Sequence, residues 1–188
     1  IYGKSFPINL YDITADCSIT DITESEIIVL DKDDQRPILK RISCLEDINP
    51  KKDEVIISFM KSNSHPNFGV MCFKICYKDK SIVYATDTEC YLGGSKRLEL
   101  FAKDTDLLIH DSQYTTEDYL SSVAPKQGFG HSTFDMAYDI ATAANAKQLA
   151  FFHFDPSYND EKLTNIENFF KNKNKNYFLA KEGMEVCI

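Results

Sequence analysis

Apolar positions in the first half of the chain come in short β-branched or aromatic runs: Glu26 to Leu30, Ile38 to Ile42, Glu54 to Phe59, Val70 to Tyr77 and Ser81 to Ala85. Charged turns such as Asp31-Lys32-Asp33-Asp34 and Lys78-Asp79-Lys80 separate them, a spacing that predicts strands joined as antiparallel hairpins. From Ser95 the pattern changes to helices alternating with apolar strands: a short helix near Lys96 to Ala102, a strand Asp106 to His110 and a helix near Thr116 to Ser122. The clearest helix follows, over about 133–145, with Ser132 as N-cap, Asp135 three residues on, and Met136, Ala137, Ile140, Ala141 and Ala144 on one face. Next come a strand Gln148 to Phe152 and a helix from about Asp160 with Leu163, Ile166, Phe169 and Phe170 in register. Two strands, Tyr177 to Ala180 and Met184 to Ile188, end the chain. The run Lys171-Asn172-Lys173-Asn174-Lys175-Asn176 reads as a solvated turn closing that last helix, its lysines favourable at the negative end of the dipole. Strands followed by β-α alternation predict a layered α/β sheet protein, one compact domain over residues 1–188.

Composition agrees with a single globular unit: 43% of the residues are hydrophobic against only seven Gly and six Pro, enough apolar material for one core. The formal charge of −8 disfavours non-specific nucleic-acid binding, which depends on Lys and Arg at phosphates, and leaves a small phosphate ester as a substrate class. No apolar run approaches the roughly 18 residues that cross a bilayer, and no signal peptide is read. The six cysteines (Cys17, Cys44, Cys72, Cys76, Cys90 and Cys187) form no CxxC pair and lie mostly among apolar residues, which predicts buried thiols in a reducing, cytoplasmic setting. Cys72 and Cys76 have a spacing that fits metal ligands, but residues four apart on a strand share a face, so packing explains them. The beginning, Ile1-Tyr2-Gly3 without Met, reads as the inside of a domain and raises the expectation of missing upstream residues.

Four histidines and several carboxylates fall at strand ends or helix starts, where open sheets gather ligands. His65 follows one strand in Ser64-His65-Pro66-Asn67-Phe68-Gly69, Asp87 another in Ala85-Thr86-Asp87-Thr88-Glu89, and His153 a third in Phe152-His153-Phe154-Asp155-Pro156. If those strands are neighbours, two imidazoles and a carboxylate meet on one edge, a set that suits Zn²⁺, Mn²⁺ or Fe. Each taken alone also fits a hydrogen-bonded loop histidine or a turn-forming Asp. His131, in Gly128-Phe129-Gly130-His131-Ser132-Thr133, precedes a helix N-terminus able to hold an anion, or is a neighbour of the cap. His110-Asp111 ends another strand and reads as support for the site.

In order and spacing, Ile82-Val83-Tyr84-Ala85-Thr86-Asp87-Thr88-Glu89, Asp106-Leu107-Leu108-Ile109-His110-Asp111-Ser112-Gln113-Tyr114, Gly128-Phe129-Gly130-His131-Ser132-Thr133 and Phe151-Phe152-His153-Phe154-Asp155-Pro156 resemble the C-terminal half of metallo-β-lactamase-fold hydrolases. The branch they resemble contains ribonuclease Z-like and cyclic-nucleotide-phosphodiesterase-like proteins, and the resemblance covers about residues 54–166. It implies an αββα sandwich, partly represented here, with a dinuclear zinc site (Mn or Fe as alternatives) on one edge. His65 and His153 would be metal ligands, Asp87 the bridging carboxylate and a catalytic residue, His131 the group that protonates the leaving group, and Asp111 a support behind the site. The reaction implied is phosphodiester hydrolysis by a metal-bridged hydroxide on a small phosphodiester or RNA-like substrate.

Two departures accompany the resemblance. The family's His-x-His-x-Asp-His motif does not occur in these 188 residues, so one metal would keep only His65 and Asp87 from this chain and the other only Asp87 and His153, fewer than the three or four ligands usual for a tight zinc site. Ile1-Tyr2-Gly3 and Phe6-Pro7-Ile8 resemble family sequence downstream of that motif. That predicts a truncated product or a processed piece, inactive alone, which pairs with its N-terminal part or with itself. Phe154 stands where relatives often have another His. The alternatives are a non-catalytic remnant serving as a binding module, and a plain α/β domain with chance motifs.

Overall fold

The computed structural model describes residues 14, 19–33, 36–43, 48, 50–91 and 93–188. Cys17, Cys44 and the Ile1-Tyr2-Gly3 and Phe6-Pro7-Ile8 segments lie outside the described residues. The element order is β1 (Glu26–Asp31), β2 (Ile38–Arg41), β3 (Glu54–Ser62), β4 (Val70–Tyr77), β5 (Lys80–Ala85), α1 (Lys96–Phe101), β6 (Leu107–Asp111), α2 (Thr116–Tyr119), α3 (Phe134–Ala143), β7 (Leu149–Phe152), α4 (Asp160–Lys173) and β8 (Tyr177–Leu179).

The strands form one eight-stranded sheet in the order β2-β1-β3-β4-β5-β6-β7-β8. Pairing is antiparallel from β2 through β5 and parallel from β5 through β8, so hairpins build one half and β-α crossovers the other. Strand polarity then has a direct consequence. Two antiparallel steps make β3 run the same way as β5, and β6 and β7 follow β5 in parallel. The C-terminal ends of β3, β5, β6 and β7 therefore open onto one edge.

Side chains alternate across the sheet because successive Cβ atoms point to opposite faces. On the face covered by helices, Met60, Cys72, Val83, Ala85, Leu108, Leu149, Phe151 and Leu179 join Leu98 and Phe101 of α1, Ala137 and Ile140 of α3 and Phe170 of α4 in one buried cluster. Phe151 is at its centre, wholly buried, with ring centroids 4.7 Å from Phe170 and 5.6 Å from Phe134. Truncation of such a ring to Ala costs on the order of 3–5 kcal/mol. The opposite face carries Phe59 beside Phe73, Tyr84 beside Phe152, and Ile75 and Tyr77, with Ile75, Tyr77, Tyr84 and Phe152 exposed. The described residues thus make one sheet with helices on one side, a single half of the layered arrangement implied by the resemblance.

Several local expectations need correction. The cap of α3 is Thr133, whose Oγ1 accepts from the Met136 N–H, and not Ser132. The Ser132 hydroxyl is otherwise engaged, donating to the Thr88 carbonyl at 2.7 Å and accepting from the Cys90 N–H at 2.9 Å. The helix begun at Thr116 ends at Tyr119 rather than Ser122. On α4, Phe170 is buried but Phe169 is 53% exposed, and the inward position next to Ile166 is taken by Glu167, held by Lys171 and Lys181. Met184–Ile188 forms no strand: a turn at Lys181 to Met184, with Gly183 at φ 73°, leads into an exposed tail outside the ladder.

Cys72 and Cys90 are buried and Cys76 is half-buried, whereas Cys187 is exposed. Burial pushes the Cys72 thiol up to about 12, and burial likewise takes Cys90 to about 12, so both stay protonated. Cys72 and Cys76 join no group of candidate metal ligands among the described residues. Among those residues no helix is long and apolar enough to cross a membrane.

Candidate metal and hydrolytic site

The shared strand polarity brings His65, Asp87, Asp111 and His153 to one edge of the sheet, where the loop before α3 adds His131. Ligand-capable atoms of His65, Asp87 and His131 lie within 4.8 Å of one another, and so do those of Asp111, His131 and His153. His153 Nε2 is 3.6 Å from Asp87 Oδ1. The His131 ring stacks on His153 at 4.9 Å between centroids and meets His65 edge-on at 5.5 Å.

Each of these residues is fixed by its own loop. At the end of β3, the hydroxyls of Ser62, Ser64 and Thr88 form a closed set of contacts between 2.7 and 3.0 Å, tying the His65 loop to the Asp87 loop. His65 Nδ1 lies 3.3 Å from the Pro66 carbonyl oxygen. Donation there leaves Nε2 free for a ligand. Asp87 and His153 both adopt left-handed backbone conformations, at φ 54° and 65°, uncommon for residues with a Cβ and found where a structure over-determines them.

Behind the cluster, Asp111 is completely buried. Its Oδ2 accepts from His131 Nδ1 at 2.8 Å, and its Oδ1 accepts from the N–H groups of Ser132 and Gln113 at 3.0 and 3.2 Å. Burial alone would lower the His131 pKa, but the hydrogen bond and charge of Asp111, with Asp87 and Glu89 behind it, hold it above the ordinary value. His110 does not join the cluster. It is wholly buried on the helix side, Nδ1 at 2.7 Å from the Asp111 carbonyl and Nε2 at 3.6 Å from Cys90 Sγ, and burial lowers its pKa. Phe154, the second departure from the resemblance, stacks on Phe134 at 5.8 Å and packs against the core.

One residue at the site escapes a reading of the sequence. Glu89, 2% exposed, points its carboxylate at the loop that carries His131. Sequence offered one signal, the two glycines of Gly128-Phe129-Gly130, which mark a loop able to turn its N–H groups together.

The donor set fits divalent metal. Imidazole and carboxylate suit Zn²⁺, Mn²⁺ and Fe, and Asp87 and His153 keep side chains 39% and 34% exposed, accessible for coordination. With His131 tied to Asp111, the remaining donors are His65, Asp87 and His153, and divided between two ions they leave each with only two, His65 with Asp87 or Asp87 with His153, fewer than a tight site requires.

No family model matches the chain. Over 109 residues, 58% of this chain and 32% of the relative, it is 37% identical to ribonuclease Z of Picrophilus torridus. Over 102 residues, 53% of this chain and 31% of the relative, it is 36% identical to ribonuclease Z of Sulfurisphaera tokodaii. The chain spans about a third of the length of these curated relatives. Among solved structures, the metallo-β-lactamase fold protein YhfI of Bacillus subtilis superimposes with a TM-score of 0.55 at 21% identity, over 69% of this chain and 48% of that one. A diphosphatase from the PhnP family superimposes with a TM-score of 0.52 at 15% identity, over 71% and 44%. The chain therefore has the metallo-β-lactamase fold in part, and more than half of its length is similar in sequence to ribonuclease Z.

Proposed function

We propose that this chain is the C-terminal part of a metal-dependent phosphodiester hydrolase acting on a small phosphodiester or an RNA-like substrate, in which His65, Asp87 and His153 hold metal and His131 acts as proton donor. The observation that supports it is the meeting of those four side chains on one sheet edge with Asp111 behind His131. Similarity to ribonuclease Z supports the RNA-like substrate. Two zinc ions held there, with further ligands from upstream residues, would supply Lewis-acid charge at the phosphate and activate water.

The protein's own groups do the rest. Asp87, near both His65 and His153, would hold metal together with them. Asp111 accepts the Nδ1 proton of His131, which fixes the ring and presents Nε2–H towards the cluster. From Nε2 the proton passes to the leaving alkoxide, and Asp111 stabilises the charged ring that precedes the transfer. Ser132 and Gln113 N–H groups hold Asp111 itself.

The test is metal analysis of the longer protein with and without Asp87→Ala, beside hydrolysis of a dialkyl phosphate diester. Loss of metal and of hydrolysis together is the expected result. Full metal content and undiminished hydrolysis in Asp87→Ala would overturn the proposal, and a longer protein that neither binds metal nor hydrolyses the diester would favour the non-catalytic remnant.

A further inference from the structure

Glu89 lies two residues beyond Asp87 and touches three segments of the site. Its backbone N–H donates to Ser64 Oγ at 3.2 Å, next to His65. Its carboxylate accepts from the Gly128 N–H at 2.9 and 3.0 Å, from the Gly130 N–H at 3.0 Å and from the Tyr119 hydroxyl at 2.5 Å. Burial, and then acceptance by Glu89, raise the Tyr119 pKa, so the phenol remains a donor. A carboxylate this deep in the protein is costly unless its lone pairs are filled, and here the loop bearing His131 fills most of them.

The loop is built to reach it. Gly128 and Gly130 take φ of 83° and 92°, which lets both N–H groups turn towards one anion. Gly130 also abuts the His65 loop: a Cβ there would fall 2.5 Å from Pro66 Cδ and 2.7 Å from His65 Cδ2. The position of His131 relative to His65 is therefore set by how far the Gly128–Gly130 backbone is drawn in.

We infer that Glu89 is a positioning residue, a buried carboxylate clamp that draws in the loop Gly128–Gly130 and so sets where His131 stands against the other site residues. The inference rests on the reading of His131 as the proton donor. Asp111 fixes the rotation of the imidazole, whereas Glu89 fixes the backbone on which the imidazole is carried. Replacing the carboxylate by an amide puts an NH₂ donor against the N–H groups or the phenol, which opens the clamp with little change of volume.

The test compares Glu89→Gln, His131→Ala and the double variant in the complete metal-loaded protein. Three readouts are taken: amide hydrogen exchange over residues 127–132, metal content, and hydrolysis of a diester with an alkyl leaving group and of its p-nitrophenyl counterpart. In Glu89→Gln, exchange at Gly128 and Gly130 should accelerate about tenfold or more while metal is retained. Hydrolysis of the alkyl ester should fall by about tenfold or more, up to the 10²–10⁴-fold that complete loss of proton-donor assistance costs, and that of the p-nitrophenyl ester much less. The double variant should be no slower than His131→Ala, because the two changes act through one group. Unchanged exchange overturns the clamp. Equal losses on the two esters, or losses that multiply in the double variant, overturn its action through His131. If His131→Ala is itself indifferent to the leaving group, the proton-donor reading has failed instead, and Glu89 is then judged on exchange alone. Should Glu89→Gln not fold, Tyr119→Phe removes one donor from the clamp and should reproduce the pattern at smaller amplitude, and its absence there overturns the inference.

Discussion

His131 Nδ1 and Asp111 Oδ2 are 2.8 Å apart, with the imidazole part-exposed at the sheet edge and the carboxylate completely buried behind it. This pairing fixes one tautomer, raises the basicity of the ring and leaves Nε2 free, the atom that would carry the proton under the proposed function.

His131→Ala in the complete protein should therefore keep its metal and lose about 10²–10⁴-fold on a diester with a poor leaving group. With a p-nitrophenyl ester, which needs little protonation, the deficit should shrink. Steady-state rates on the two esters, with metal content measured alongside, check this. Loss of metal in the variant would make His131 a ligand.

The same pair makes stability depend on pH. The folded His131 pKa is raised above its unfolded value of about 6.5, so its contribution is complete below that value and fades as pH rises through the folded pKa. In chelator, the difference in melting temperature between this chain and His131→Asn should be largest near pH 6 and diminish towards pH 9. A difference independent of pH would mean that the pairing with Asp111 does not raise the His131 pKa.

Metal retention by these 188 residues alone should be poor. With His65, Asp87 and His153 as its donors, the isolated chain should release zinc on dialysis, as judged by elemental analysis of the dialysed protein. Stoichiometric zinc after a chelator wash would show that further donors take part, His131 and Asp111 first among them.

The sheet face that exposes Ile75, Tyr77, Tyr84 and Phe152 leads to an expectation about association. Apolar patches of this kind draw partners or self-associate. Sedimentation should show the isolated chain forming oligomers, with strong binding of a hydrophobic dye that the longer protein lacks. A monomer without dye binding would mean that the face is covered within this chain.

Much of this architecture was legible in the order of residues, for reasons that differ by element. The strands from Glu26 to Ala85 announced themselves through β-branched runs between charged turns, and α3 through a 3.6-residue apolar period. The proximity of His65, Asp87 and His153 follows from strand polarity once β3, β5 and β7 share a sheet. The cap of α3 was less readable, because Ser132 and Thr133 are both capping residues and a tertiary bond to Thr88, 44 residues away, decided between them. Phe169 lies on the apolar stripe of α4 by spacing alone, yet Glu167 occupies the inward position through two lysine partners. Glu89 was hidden for a similar reason. Its principal partners are backbone N–H groups up to 41 residues away, and a backbone group leaves almost no mark in a sequence.

The left-handed backbone at Asp87 and His153 sets chemistry against thermal robustness. A residue with a Cβ in that region gives up roughly 1–2 kcal/mol, less for Asp, and glycine there would relax it. The sheet edge thus holds a carboxylate and an imidazole at positions where the smallest side chain would fold more comfortably. Selection for heat resistance alone would favour glycine at both positions, leaving a sturdier protein without that carboxylate and imidazole.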